Sequence, residues 1–262
     1  MSMIIRSFRI LKQLGSIGSV VYIFQHYYQR FLKARYPYKL FSKYARYPLL
    51  CRPDTSDINV FGQIFIDREY RCVDDVSNVS LVVDCGANVG YSSAYLLNRF
   101  PNCYLIAIEP DLGNYLVMTK NLKPYNNRVL MLNSAIWSHS VPLTMSEQKY
   151  RDGKEWTRQV RECRPGEVPL VTAVDIGSIL RESKHDRISI LKIDIERAEG
   201  VIFSSTTYKS WIDKVDIMLI ELHDDSSFGK CSDIFFSALE KEDFAFSRCG
   251  ELIVCKRRQL HQ

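Results

Sequence analysis

The run Leu81-Val-Val-Asp84-Cys-Gly86-Ala-Asn88-Val-Gly90-Tyr91 constrains the fold more than any other part of this 262-residue chain. An apolar stretch ends in an acid, passes two glycines and enters a helix-forming segment. Glycine tolerates a left-handed backbone and close approach of another group. Gly86 and Gly90 therefore mark a tight turn from strand to helix. The free N–H groups at the start of that helix suit a carboxylate or phosphate. Asp84, at the strand end, is placed to hold an ammonium group, directly or through water.

Downstream, strands are expected at 81–85, 104–109, 128–134, 188–194 and 215–222. Helices are expected at 90–100, 112–122, 175–182, 197–210 and 227–241. A looser stretch at 138–172 includes an edge hairpin, and a closing hairpin falls near 244–256. Near-continuous apolar strands alternating with helices predict a mostly parallel sheet covered on both faces, an α/β doubly wound fold. Before it, Tyr36 to Asp57 reads as a connector and 58–70 as a short helix or strand lid.

The second strand ends in Glu109, 19 residues after Gly90. An acid there accepts hydrogen bonds from ribose hydroxyls. The dinucleotide fingerprint G-x-G-x-x-G is broken, because Asn88 replaces its second glycine and Tyr91 its third. A cofactor with an amino-acid tail fits this loop better than a pyrophosphate. Asn133 and Ser134, at the end of the third strand, are expected as polar contacts to an adenine, with Ile136 or Trp137 as apolar ones.

Two later strands end in charge. Lys192, Asp194 and Glu196 share a face if the strand continues, and Glu221 and His223 share another. His223 is the first candidate for a general base, because its ordinary pKa lies near neutrality. Asp194 is the second, with Glu196 and Glu199 orienting substrate hydroxyls or the imidazole. The competing reading makes these groups structural ion pairs with Lys192 and Arg197. The carboxylates could also hold a divalent cation, since hard oxygen ligands suit Mg²⁺, but no metal-specific spacing is present and no metal ligand is assigned.

The first 53 residues hold ten Lys or Arg and no acid, whereas the remainder carries a net −5. Residues 1–50 are read as a basic helical extension and 51–262 as the main domain. Ile17, Val21, Phe24, Tyr28 and Phe31 recur at helical spacing. The uncharged run at 13–29 is too short and too polar to span a membrane. Peripheral membrane contact through residues 1–35 is one expectation for this arm, and a helix packed on the main domain or on a second subunit, as in a homodimer, is the alternative. The eight cysteines include no C-x-x-C pair and suit a reducing cytoplasm.

The quoted motifs, together with Ile108-Glu109-Pro110, Leu191-Lys-Ile-Asp194-Ile-Glu196-Arg-Ala-Glu199 and Ile220-Glu221-Leu-His223, resemble those of the FkbM-type methyltransferases over about residues 50–256. The resemblance implies a class I methyltransferase fold, with a seven-stranded Rossmann-like sheet. It also implies S-adenosylmethionine as cofactor, bound through Asp84, Gly86, Asn88, Gly90, Glu109, Asn133 and Ser134. Catalysis would rest on His223, Asp194 and Glu196. The acceptor would be a hydroxyl on a sugar of a cell-surface glycan or glycolipid precursor, worked on at the inner face of the membrane. A polyketide-type natural product and, further off, an NAD-dependent sugar oxidation are the alternatives. No nucleic-acid partner is expected, because the arm carries no RNA module and the core is acidic. One position departs from the family pattern D-x-E-G-x-E: Arg197 stands where glycine is usual. A cation there would narrow the site or meet an acidic acceptor.

Overall fold

The computed structural model describes residues 3–32, 36–145, 160–226 and 229–258. The chain opens with α1 (Met3–Leu32), broken at Gly15, whose φ of 74° and ψ of 178° lie outside the helical region. Within the expected connector, β1 (Tyr38–Leu40) and β2 (Leu49–Cys51) pair antiparallel. The expected lid is helical: α2 (Asp57–Phe61) continues into a wider turn at Gly62–Ile66, and a 3-10 turn follows at Glu69–Val73.

Alternating elements follow: β3 (Leu81–Cys85), α3 (Tyr91–Arg99), β4 (Tyr104–Ile108), α4 (Leu112–Leu122) and β5 (Val129–Leu132). A small side sheet holds β6 (Ala135–Ile136), β7 (Pro142–Met145), β8 (Val160–Glu162) and β9 (Val171–Val174). Then come α5 (Ile176–Ser183), β10 (Ile188–Ile193), α6 (Glu199–Ser204), β11 (Val215–Ile220), α7 (Cys231–Leu239), β12 (Phe244–Cys249) and β13 (Leu252–Arg257). Helix starts are set by local chemistry. The Asp111 carboxylate accepts the Asn114 N–H at 2.8 Å, and Asp175 accepts the Ser178 N–H at 2.9 Å, each satisfying a donor that has no partner within the helix.

The main sheet runs β12-β13-β11-β10-β3-β4-β5. The bonds linking β11, β10, β3, β4 and β5 are parallel, and β13 is antiparallel to both neighbours. This order, with a reversed strand next to one edge, is the class I methyltransferase fold. Side chains alternate across it, as the pleat requires. Leu81 and Val83 enter a core with Trp211 and Phe235, whereas Val82 enters the opposite core with Phe61, Tyr91 and Leu105.

Several elements differ from expectation. The helix predicted over 197–210 is α6 followed by a 3-10 turn at Thr206–Ser210, because extended Ser205 (ψ 150°) breaks it. α7 starts at Cys231, and positions 227–228 of the helix predicted there lie outside the described residues. The edge hairpin pairs β7 with β8, and its connection, 146–159, also lies outside them. The structure also fixes which face of α1 turns outward. Its buried face is Ile10, Leu14, Gly18, Ser19 and Tyr22, while Ile17 and Phe24 of the predicted stripe face outward. The reason is a close approach: a Cβ at Gly18 would lie 2.8 Å from the Phe41 carbonyl oxygen, so the small-residue face turns inward.

Candidate active site

In open α/β sheets ligands bind beyond the carboxyl ends of the strands, where the strand order reverses. Here that point lies between β3 and β10. A cavity of about 600 Å³ opens there, a size that suits a cofactor and part of an acceptor. Its walls come from Gly86–Asn88, Ile108–Asp111, Ser134–Ile136 and Asp194–Ala198, with Glu221, His223 and Glu251. The tips of β3 and β10 bring main chain against main chain. Gly86 has φ 79°, and a Cβ there would fall 1.8 Å from the Asp194 carbonyl oxygen.

The glycine turn is locked onto the end of β4. Asn88 takes a left-handed φ of 50° and donates its N–H to Glu109 Oε2 at 2.8 Å. Glu109 Oε1 accepts the Asp111 N–H at 3.0 Å and the Asn114 amide at 3.4 Å. A carboxylate has about four acceptor positions, so one remains for a ligand hydroxyl. Burial pushes the Glu109 pKa up to about 7, against the pull of those donors. The donor set fits S-adenosylmethionine: a strand-end acid for ribose hydroxyls, apolar Ile108, Pro110 and Ile136 for a flat ring, and a close backbone loop for the tail.

Five expected contacts are placed differently. Gly90 lies outside the cavity lining, where its φ of 84° turns the chain and its missing Cβ leaves room for Met118 and Leu122. Asp84 is fully buried and does not line the cavity. It accepts the Ser92 and Ser93 hydroxyls at 2.7 and 2.6 Å and pairs with Lys192 Nζ at 3.2 Å, so its ammonium partner is the protein's own. Asn133 turns away and donates to the carbonyls of Glu109 and Pro110, bracing the loop that follows β4. Ser134 lines the cavity, but its hydroxyl is committed to the Thr172 carbonyl at 2.5 Å. Trp137 packs in the side-sheet core and donates to Glu162, leaving Ile136 as the apolar contact.

Lys192 is the residue the sequence reading undervalued. It sits beside Asp84 in register on β10, is only 2% exposed, and donates to the Gly86 carbonyl at 2.6 Å. Its ammonium also lies 3.6 Å from Asp194. Burial opposes its charge, but Asp84 and Asp194 outweigh burial and hold its pKa well above the ordinary value. One cation thus binds the glycine loop to the acid that ends β10.

β10 stops at Ile193, so Glu196 does not reach the cavity by strand alternation. The chain instead turns left-handed at Glu196 (φ 51°) and Arg197 (φ 75°) and still brings Glu196 to the cavity wall. That conformation explains why glycine is usual at position 197. The Arg197 guanidinium makes a two-point pair with Asp225, at 3.1 and 2.9 Å. Ser226 donates to the Arg197 carbonyl.

His223 lies between four acids. Its Nδ1 is 2.9 Å from Glu199 Oε1, and its Nε2 is 3.6 Å from both Glu196 and Glu221. Glu199 is fully buried. Burial works against a charged imidazole, but Glu199, Glu196 and Asp194 raise its pKa to about 10. The expectation of a histidine titrating near neutrality is therefore corrected. Burial, reinforced by Asp194, raises Glu196 to about 7 and Glu221 to about 8. Asp194, Glu196 and His223 each present a ligand atom within 4.8 Å of the others, as do Glu69, Glu221 and Glu251. Gln63 donates to Glu69 at 2.7 Å and to Glu251 at 3.3 Å, forming a polar wall that no sequence motif announced.

The fold and this site define a class I methyltransferase. The Methyltransferase FkbM domain matches residues 84–251, and the chain belongs to that family. S-adenosylmethionine is therefore its methyl donor. Methyltransferase sdnD of Sordaria araneosa is 25% identical over 181 residues, covering 58% of this chain and 70% of the relative. Methyltransferase 1 of Beauveria bassiana (strain ARSEF 2860) is 24% identical over 187 residues, covering 63% and 73%. Among solved structures, M. capricolum TrmK in complex with S-adenosyl-homocysteine aligns with TM-score 0.40 and 12% identity over 73% of this chain and 68% of its own.

Glu109→Ala is expected to weaken S-adenosylhomocysteine binding by at least about 1.5–3 kcal/mol, the cost of losing charged hydrogen bonds. The loss includes the brace on Asn88, so Glu109→Gln, which keeps one acceptor oxygen, should recover part of it. Titration calorimetry reads both variants, and unchanged affinity in Glu109→Ala would remove Glu109 from the donor site.

Proposed function

We propose that this enzyme methylates a hydroxyl oxygen on a sugar of a cell-surface glycan or glycolipid precursor. The observation that carries the chemistry is the pair of buried Glu199 and His223. Glu199 holds Nδ1, which fixes the ring and leaves Nε2 on the cavity side. The polyol acceptor is supported by the facing wall, where Asn59, Gln63, Glu69 and Glu251 offer paired donors and acceptors. A polyketide-type hydroxyl is the alternative acceptor. Eight free thiols suit a reducing compartment, and we place the reaction in the cytoplasm.

Bound S-adenosylmethionine supplies a methyl group already activated on a positive sulfur. His223 Nε2 in its neutral form takes the hydroxyl proton as the new C–O bond forms, and Glu199 stabilises the imidazolium that results. Glu196 and Glu221 flank Nε2 and orient the acceptor hydroxyl. Asp194 and Lys192 hold the glycine loop against this cluster.

Because the surrounding acids keep His223 protonated at neutral pH, kcat/KM should rise with pH towards about 10. The slope should be about tenfold per pH unit below that value. Glu199→Gln removes the charged partner of Nδ1 and should move the inflection towards neutrality. A profile flat across neutrality in the unaltered enzyme would remove His223 as the base.

One observation favours a second reading. The spacing of Asp194, Glu196 and His223 would accept a divalent cation, with Glu199 fixing the ring of a ligating histidine. Activity lost on dialysis against EDTA and restored by Mn²⁺ or Mg²⁺ would favour it. The acceptor is tested by comparing glycans from cells with and without this chain. The proposal expects a mass loss of one methylene on a sugar, and unchanged glycans overturn it.

A further inference from the structure

The outward face of α1 has the wrong polarity for water. Between residues 16 and 28 the exposed positions are Ser16, Ile17, Val20, Ile23, Phe24 and Tyr27. Ile17 is 75% exposed, Val20 68% and Phe24 59%. The opposite face is already used: Tyr22 stacks on Phe61 with ring centroids 6.0 Å apart, and Leu14 and Ile10 join the same core. Contiguous apolar surface of this kind marks an interaction site.

Charge identifies what covers it. The first 53 residues hold ten bases and no acid; Arg9 and Arg52 pair with Asp67 and Asp57, whereas Lys12 on α1 itself and Lys39, Lys43 and Arg46 beyond it are exposed. A second copy meeting this face about a twofold axis would set bases against bases, since such an interface pairs the same patch with itself. An anionic bilayer offers phosphates and carboxylates to the bases and an acyl boundary to the apolar stripe. Among the described residues no helix is long and apolar enough to cross a membrane, so α1 would lie along the surface.

We infer that the outward face of α1 docks on the surface of an anionic bilayer. The inner face of α1 packs on the turn at Gly62–Ile66, where a Cβ at Gly62 would lie 2.9 Å from the Tyr22 hydroxyl. Gln63 and Ile64 of that turn line the cavity. Docking therefore holds the polar wall of the site one helix away from the bilayer, whichever acceptor is used.

The test uses the full chain and vesicles of phosphatidylcholine with and without phosphatidylserine. The chain should sediment with the anionic vesicles and much less with the neutral ones. High salt should release part of the bound chain, leaving the contribution of the apolar stripe. The double variant Val20→Asp/Phe24→Asp should bind at least about tenfold more weakly. Its thermal unfolding should be unchanged, because both side chains are exposed. Three results overturn the inference: no binding to anionic vesicles, equal binding of the double variant, or a dimer in solution that the variant breaks while vesicles are ignored.

Discussion

Lys192→Met is expected to lower folding stability by about 3–5 kcal/mol, the usual cost of leaving a buried charge without its partner. Asp84 has no exposed surface and would keep only the hydroxyls of Ser92 and Ser93. The Gly86 carbonyl would lose its donor as well. Denaturant unfolding reads the loss directly. The double variant Asp84→Asn/Lys192→Met should recover part of it, because a neutral amide tolerates burial better than an orphaned carboxylate. A loss below about 1 kcal/mol, the range of exposed ion pairs, would show that water reaches Asp84 once the lysine is gone.

His223→Ala is expected to slow methyl transfer by about 10²–10⁴-fold, the range a positioned general base supplies. S-adenosylhomocysteine affinity should change little, because Glu109 and the glycine loop hold that end of the cavity. His223→Gln keeps a hydrogen-bonding group beside buried Glu199, so it separates lost chemistry from lost packing. If both variants turn over at the unaltered rate on the true acceptor, the proton leaves by another route. If His223→Ala alone is slow, the ring supports Glu199 and does not act as the base.

What was readable in the sequence was whatever depends on near neighbours. The turn from β3 into α3 and the acid closing β4 each rest on residues a few positions apart. The alternation of strands and helices followed from the same local patterns, and with it the doubly wound sheet. The role of Lys192 was not readable, because it depends on β10 entering the sheet beside β3 and placing Lys192 level with Asp84. A lysine inside an otherwise apolar strand was the available signal, and the acid at the matching depth of another strand its natural partner. The pKa of His223 was hidden for a similar reason. Glu199 is expected from sequence to orient either the imidazole or a substrate hydroxyl, but only the fold sets how close it and Glu196 come to the ring. Which face of α1 turns outward was not readable, because periodicity gives a face and not its direction. The small residues Gly18 and Ser19 turned the other face inward.

The pair Arg197–Asp225 has a consequence for how hard each reaction cycle must work. Arg197 ties the tip that follows β10 to the tip that follows β11, and Ser226 fastens the same junction from the other side. Glu196 sits on the first tip and Glu221 and His223 on the second. Their mutual placement is therefore set when the chain folds. Polar groups that are already aimed need no reorientation as charge moves in the transition state, so the reorganisation that bulk water would demand at every turnover is largely absent here.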